Sequence, residues 1–118
     1  MEAREQRGVE NARVVDLISL DSESDEVALL MLEERPWGSA PEQLRQLEDK
    51  FNSYLGYVLD GHMGKQYPQY LGKRVRFQLD CATAPREQEQ RFLTAARNFA
   101  AAEDIRFVVN VVPGDLVR

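Results

Sequence analysis

The sequence predicts an α+β fold: a two-layer sandwich in which a four-stranded mixed sheet, ordered ββαβαβ along the chain, carries two helices on one face. Three observations lead there. Apolar and polar residues alternate strictly from Arg74 to Cys81, two segments repeat apolar residues at three- and four-residue spacing, and a Ser-Ala-Pro and a Thr-Ala-Pro stand where those segments begin. The 118 residues, 43% hydrophobic and 30% charged, suffice for one core and one domain.

Residues 1–13 mix Glu and Arg with Gly8 and Asn11 and show no apolar period. The expectation is a mobile N-terminal arm over 1–13, a domain over 14–112 and a C-terminal tail over 113–118. Residues 14–20 are dense in β-branched and aliphatic side chains and read as the first strand, followed by the turn cluster 21–25. Residues 26–33 are apolar at both alternating sets of positions, as in a central strand covered on both sides, and pair with the first strand as a hairpin.

A helix is expected near 41–60, with Ser39 as its cap, Glu42 returning the bond and Pro41 in the first turn. Its buried stripe is Leu44, Leu47, Phe51, Tyr54, Leu55, Val58 and Leu59, and Asp60-Gly61 ends it. Residues 62–73 hold Gly64, Pro68 and Gly72 and read as a loop tacked down by Tyr67, Tyr70 and Leu71. The third strand is 74–81. Thr83 then caps a second helix near 85–103, with Phe92, Leu93, Ala96, Phe99 and Ala100 as its apolar stripe, and the last strand is 105–112.

Each strand-helix-strand unit should be a right-handed crossover between parallel strands. If strand order follows chain order, both helices land on one face and the other stays open, as the polar row Arg74, Arg76, Gln78 and Asp80 also implies. Arg76, Gln78, Arg106 and Asn110 would share that face with Leu30, Leu32, Val108 and Val112. A half-apolar face must be covered, by the arm, by the 62–73 loop or by another chain.

Composition narrows the function. A formal charge of -5 and a pI near 4.9 have the wrong sign for gripping a phosphate backbone, so nucleic acid is not an expected partner. No run approaches the roughly 20 apolar residues that span a bilayer, and the N-terminus has no apolar stretch of signal-peptide type, so no membrane partner is expected and the expected location is the cytoplasm. One cysteine and one histidine exclude an internal disulfide and leave too few soft ligands for zinc. No metal and no cofactor is expected.

Glu34-Arg35-Pro36-Trp37 after the hairpin, Gln78-Leu79-Asp80-Cys81 ending the third strand, the aromatic helix from Phe51 to Leu59, Tyr67-Pro68 and Val109-Asn110-Val111 together carry a resemblance. On them the chain, from about Val15 to Val112, resembles a small family of bacterial domains of unknown function. The resemblance implies a compact bacterial domain that often stands alone. It brings no reaction, cofactor or partner with it.

Several motifs bear on chemistry. Residues 21–36 contain six acids against Arg35 alone, a local charge of -5 that a basic partner surface could use. Asp21, Glu23 and Asp25 superficially resemble a calcium loop, but the sixth position is not glycine and the twelfth is Leu32. Arg35, Trp37, Asp80 and Cys81 fall at the carboxyl ends of neighbouring parallel strands, the edge where open α/β sheets take ligands. There Arg35 could fork onto an anion, Trp37 could stack on a planar group, and Cys81 near a helix start could have a lowered pKa. The plain alternative is that Arg35 and Asp80 pair within the fold, Trp37 lids the core and Cys81 is an inert core residue. His62 belongs to the opposite end of the domain from Cys81, so no catalytic residue is assigned.

The sequence therefore favours a non-enzymatic protein-interaction module, partnered by itself as a homodimer or by another protein. Its interface would be Leu30, Leu32, Arg76, Gln78, Val108 and Asn110 on the open face. The alternative is a small-molecule or anion-binding site, with or without catalysis, at Arg35, Trp37, Asp80 and Cys81.

Overall fold

A computed structural model of the chain describes residues 7–112. Its elements are β1 (Leu17–Asp21), β2 (Glu26–Glu33), α1 (Gln43–Leu59), a short α2 (His62–Gln66), a 3-10 turn (Pro68–Tyr70), β3 (Arg74–Cys81), α3 (Glu87–Ala102) and β4 (Ile105–Val111). The strands lie in the order β1-β2-β3-β4. β1 runs antiparallel to β2, and β2, β3 and β4 are mutually parallel.

Register decides which side of the sheet is dry. Leu29 pairs with Phe77 and Phe77 with Phe107, so the odd-numbered residues of β2, β3 and β4 share one face. On it Leu29, Met31, Phe77, Leu79, Ile105 and Phe107 are buried, together with Leu47, Phe51 and Tyr54 of α1 and Leu93, Ala96 and Ala100 of α3. Phe51 ties the layers together. Its ring lies 5.9 Å from Phe77 edge to face, 5.6 Å from Phe107, and 6.5 Å from Phe99 on α3. Both long helices thus cover the odd face, as the period-two and period-3.6 patterns predict.

Three boundaries differ from the sequence reading, each because a side chain has taken another job. The first strand begins at Leu17, not at residue 14, because Asp16 turns inward. It accepts the amides of Gly8 (2.9 Å) and Leu32 (2.8 Å). α1 begins at Gln43 with Glu42 at its cap position and no side-chain cap bond, so the expected Ser39 cap does not form. The Gln43 carboxamide closes that turn instead, accepting from Gly38 (2.7 Å) and donating to the Pro36 carbonyl (3.2 Å). α3 begins at Glu87 with Arg86 at its cap position, whose amide donates back to the Glu89 carboxylate (2.9 Å), while Thr83 accepts the Trp37 amide (3.2 Å).

The segment 62–73 is more ordered than a loop. It forms α2 and the 3-10 turn beside α1, with Met63 in the core and the Tyr67 and Tyr70 rings stacked at 5.4 Å. The expected arm needs correction too. Residues 1–6 lie outside the described residues, but Val9 is fully buried, and its amide donates to the Leu32 carbonyl at 2.9 Å. An isolated valine among charges carries no periodicity, which is why the sequence hides it. The tail over 113–118 lies outside the described residues.

Candidate functional site

The even-numbered residues of β2, β3 and β4, with Leu17, Ser19 and Asp21 of β1, make the second face of the sheet. Among the described residues no helix packs on it: the 62–73 segment lies beside α1, and Val9 joins the core of the helix side. The open face expected from the sequence is present.

Charge gathers at the end where the parallel strands begin. Glu26, the first residue of β2, accepts from Arg106 Nε (3.0 Å) and Nη2 (2.7 Å), from Arg76 Nη1 (3.0 Å) and from Ser24 Oγ (3.1 Å). Asp21 accepts from the same Arg76 nitrogen at 3.0 Å. The Arg106 fork, aided by Ser24 and Arg76, outweighs burial and lowers the Glu26 pKa to about 2. Arg106 in turn is raised by Glu26. Two guanidinium groups face two carboxylates, so this end is locally balanced, although Arg76 Nε is buried with no partner among the described residues.

The middle of the face is apolar. Leu17, Leu30, Gln78 and Val108 form one row across the four strands, with Leu17 44% exposed and Leu30 and Val108 half-buried. At the far end the row is Leu32, Asp80 and Asn110. Asp80 Oδ1 accepts from Gln78 Nε2 (3.0 Å) and from Asn110 Nδ2 (3.5 Å). All six residues expected at an interface, Leu30, Leu32, Arg76, Gln78, Val108 and Asn110, are on this one face.

The other predicted group, Arg35, Trp37, Asp80 and Cys81, is dispersed. Arg35 forks onto Glu33 through Nε (2.9 Å) and Nη2 (2.7 Å), and Nη2 also reaches Gln46 (2.9 Å). Trp37 is 7% exposed and donates its indole N–H to the Thr83 carbonyl at 3.0 Å. Cys81 is 1% exposed on the helix side, where burial raises its thiol pKa, while Asp80 points to the open face. A groove of about 490 Å3 includes Arg35, but its other walls are Arg7, Gly8, Glu10, Leu32 and Glu34. The acidic run is largely occupied as well, with Asp21, Glu26 and Glu33 on arginines and Asp25 on Lys73 (2.8 Å). The turn is an Asx turn, not a metal loop: Asp21 Oδ1 accepts the Glu23 amide at 3.0 Å, and Asp25 takes a left-handed φ of 58°.

A polar node that sequence reasoning passed over sits under the sheet edge. Lys50 is fully buried, and its Nζ donates to the carbonyls of Gly8, Asn11 and Val14 and to Asp16 Oδ1, at 2.7 to 2.8 Å. Tyr54, one helical turn on, receives the Asp16 amide (2.9 Å) and donates to the Leu30 carbonyl (2.6 Å). Burial pushes Lys50 down, partly offset by Asp16, and pushes the Tyr54 phenol up. Every partner of this ammonium is structural, and it pins the chain from Gly8 to Asp16 against α1. The signal existed: Lys50 falls three residues after Leu47 and four before Tyr54, on the buried stripe.

A family model described as a family of unknown function (DUF6572) matches residues 7–113. The chain belongs to this family. The DUF6572 match takes in Gly8, whose carbonyl Lys50 holds, and the buried Val9. No curated protein and no solved structure matches the chain. Among the described residues no helix is long and apolar enough to cross a membrane.

Proposed function

We propose that this chain is a protein-interaction module that associates with a second copy of itself through its sheet, by the uncovered face or by the free edge. The observation that carries the reading is the trio of parallel strands, β2, β3 and β4, left bare on one face. Parallel strands are ordinarily buried on both faces, and here the middle row of the uncovered face is Leu17, Leu30 and Val108, interrupted only by Gln78. At its two ends Glu26, Arg76 Nη1 and Arg106, and Gln78 and Asp80, are already hydrogen-bonded to one another, so an approaching surface need not strip these groups of water unpaired. The dispersal of Arg35, Trp37, Asp80 and Cys81 supports no ligand site at the strand ends.

The same reading places the module in a bacterial cytoplasm, with Cys81 a thiol kept inside the core. The test is static light scattering on the purified chain from micromolar to near-millimolar concentration. The expected result is a mass rising toward twice 13.5 kDa. A mass that stays at 13.5 kDa throughout overturns the proposal.

A further inference from the structure

We infer that the second copy joins edge to edge along β4, antiparallel and centred on Val108, so that two four-stranded sheets become one of eight strands. The inference rests on the self-association reading and names its contact.

The two edges of the sheet are treated differently. Beside β1, which has only five residues, the exposed remainder of β2 is closed by its own chain: Val9 takes the Leu32 carbonyl and Asp16 Oδ2 takes the Leu32 amide. β4 has seven residues and nothing beyond it among the described residues. Val112 donates its amide to the Cys81 carbonyl at 2.7 Å. By alternation the even-numbered residues of β4 face β3, and Ile105, Phe107, Val109 and Val111 turn their N–H and C=O groups outward. Natural edges are guarded by charges, proline, bulges or short length. From Phe107 to Val111 this edge has none of these, and Val111 is 46% exposed.

The sequence of β4 also fits itself. Pairing Val108 with the partner's Val108 lets all seven residues pair, with Phe107 exchanging both bonds with the partner's Val109. Arg106 then lies opposite the partner's Asn110, whose Nδ2 is spent on Asp80 and whose carboxamide oxygen is left to accept. A register shifted by four residues to pair Arg106 with its own copy sets like charges side by side. On the helix side the edge is flanked by a groove of about 260 Å3 that includes Pro85, Leu93 and Val109, with no charged wall except Arg97.

Two measurements on the full chain decide the matter. The first is amide hydrogen exchange of Phe107 and Val109 at concentrations above and below the association midpoint. Their exchange should slow by on the order of 100-fold in the dimer, while even-numbered β4 amides, bonded to β3 in either state, change little. The second is the Val109→Pro variant, which removes an outward N–H and leaves the β3 ladder whole. Two ladder bonds vanish per dimer, weakening it on the order of 30-fold. If the chain dimerises but the Phe107 and Val109 amides exchange equally fast in both states, the edge inference fails and self-association stands. Leu30→Asp should then break that dimer, because the contact is face on face. A chain that never dimerises overturns both.

Discussion

Lys50 shows how much chain one side chain can hold in place. An ammonium with no exposed surface is tolerable only because four oxygens surround it, three of them carbonyls of the segment it holds. Lys50→Met keeps the length and removes the charge, leaving Asp16 buried without its cation. Urea denaturation should register a loss of about 3 to 5 kcal/mol. A loss below about 1 kcal/mol would mean the node is not a structural pin. Asp16 and Lys50 are separated by 34 residues, and pairs at that distance leave no local pattern in a sequence. Glu26 makes a second residue-scale prediction. Its folded pKa of about 2 lies below the ordinary 4.5, so its stabilisation is complete above about pH 4.5 and is lost as pH falls toward 2. Unfolding midpoints should fall more steeply between about pH 4.5 and about pH 2 for the wild type than for Glu26→Gln. Parallel slopes would show that Glu26 is not held by Arg106 and Arg76.

At the scale of elements, what the sequence revealed was periodicity, and what it concealed was capping. The alternation of Val75, Phe77, Leu79 and Cys81 fixed β3 to the residue, and the Leu47, Phe51 and Tyr54 stripe fixed the buried face of α1. Both patterns record contact with the core, which repeats along an element. Helix starts record a single hydrogen bond each, and competing donors took the expected caps: Thr83 went to Trp37, and Gln43 did the work assigned to Ser39. The turn before α1 also depends on Gly38, whose φ of 87° suits glycine and where an added Cβ would lie 2.5 Å from Arg86 Nη1. The opening segment was misread because its contribution to the core is one residue. Val9→Ala should therefore cost about 2 kcal/mol in denaturation experiments, where a mobile arm would give no change.

On the scale of the whole molecule, the order β1-β2-β3-β4 with both long helices on one side is the feature from which function follows. It was legible before any coordinates, since two crossovers of the same hand in a sheet ordered as the chain must put both helices on one face. That Leu30, Leu32, Arg76, Gln78, Val108 and Asn110 share one face was legible for the same reason, as even-numbered positions on strands whose odd positions are core. The four residues grouped for a ligand do not converge, because position at a sheet edge says nothing about whether a side chain is already engaged, and Arg35 and Trp37 are. A net charge of -5 opposes bringing two copies together at long range, so what holds them must act at short range, as the β4 ladder does. Val108 is its centre. Sedimentation equilibrium of the wild type beside Val108→Asp tests this most directly, since the substitution sets two carboxylates across the axis and should weaken association on the order of 100-fold. The account predicts a wild-type mass approaching twice 13.5 kDa and a variant that remains at 13.5 kDa over the same range. A variant that associates as tightly as the wild type would contradict it.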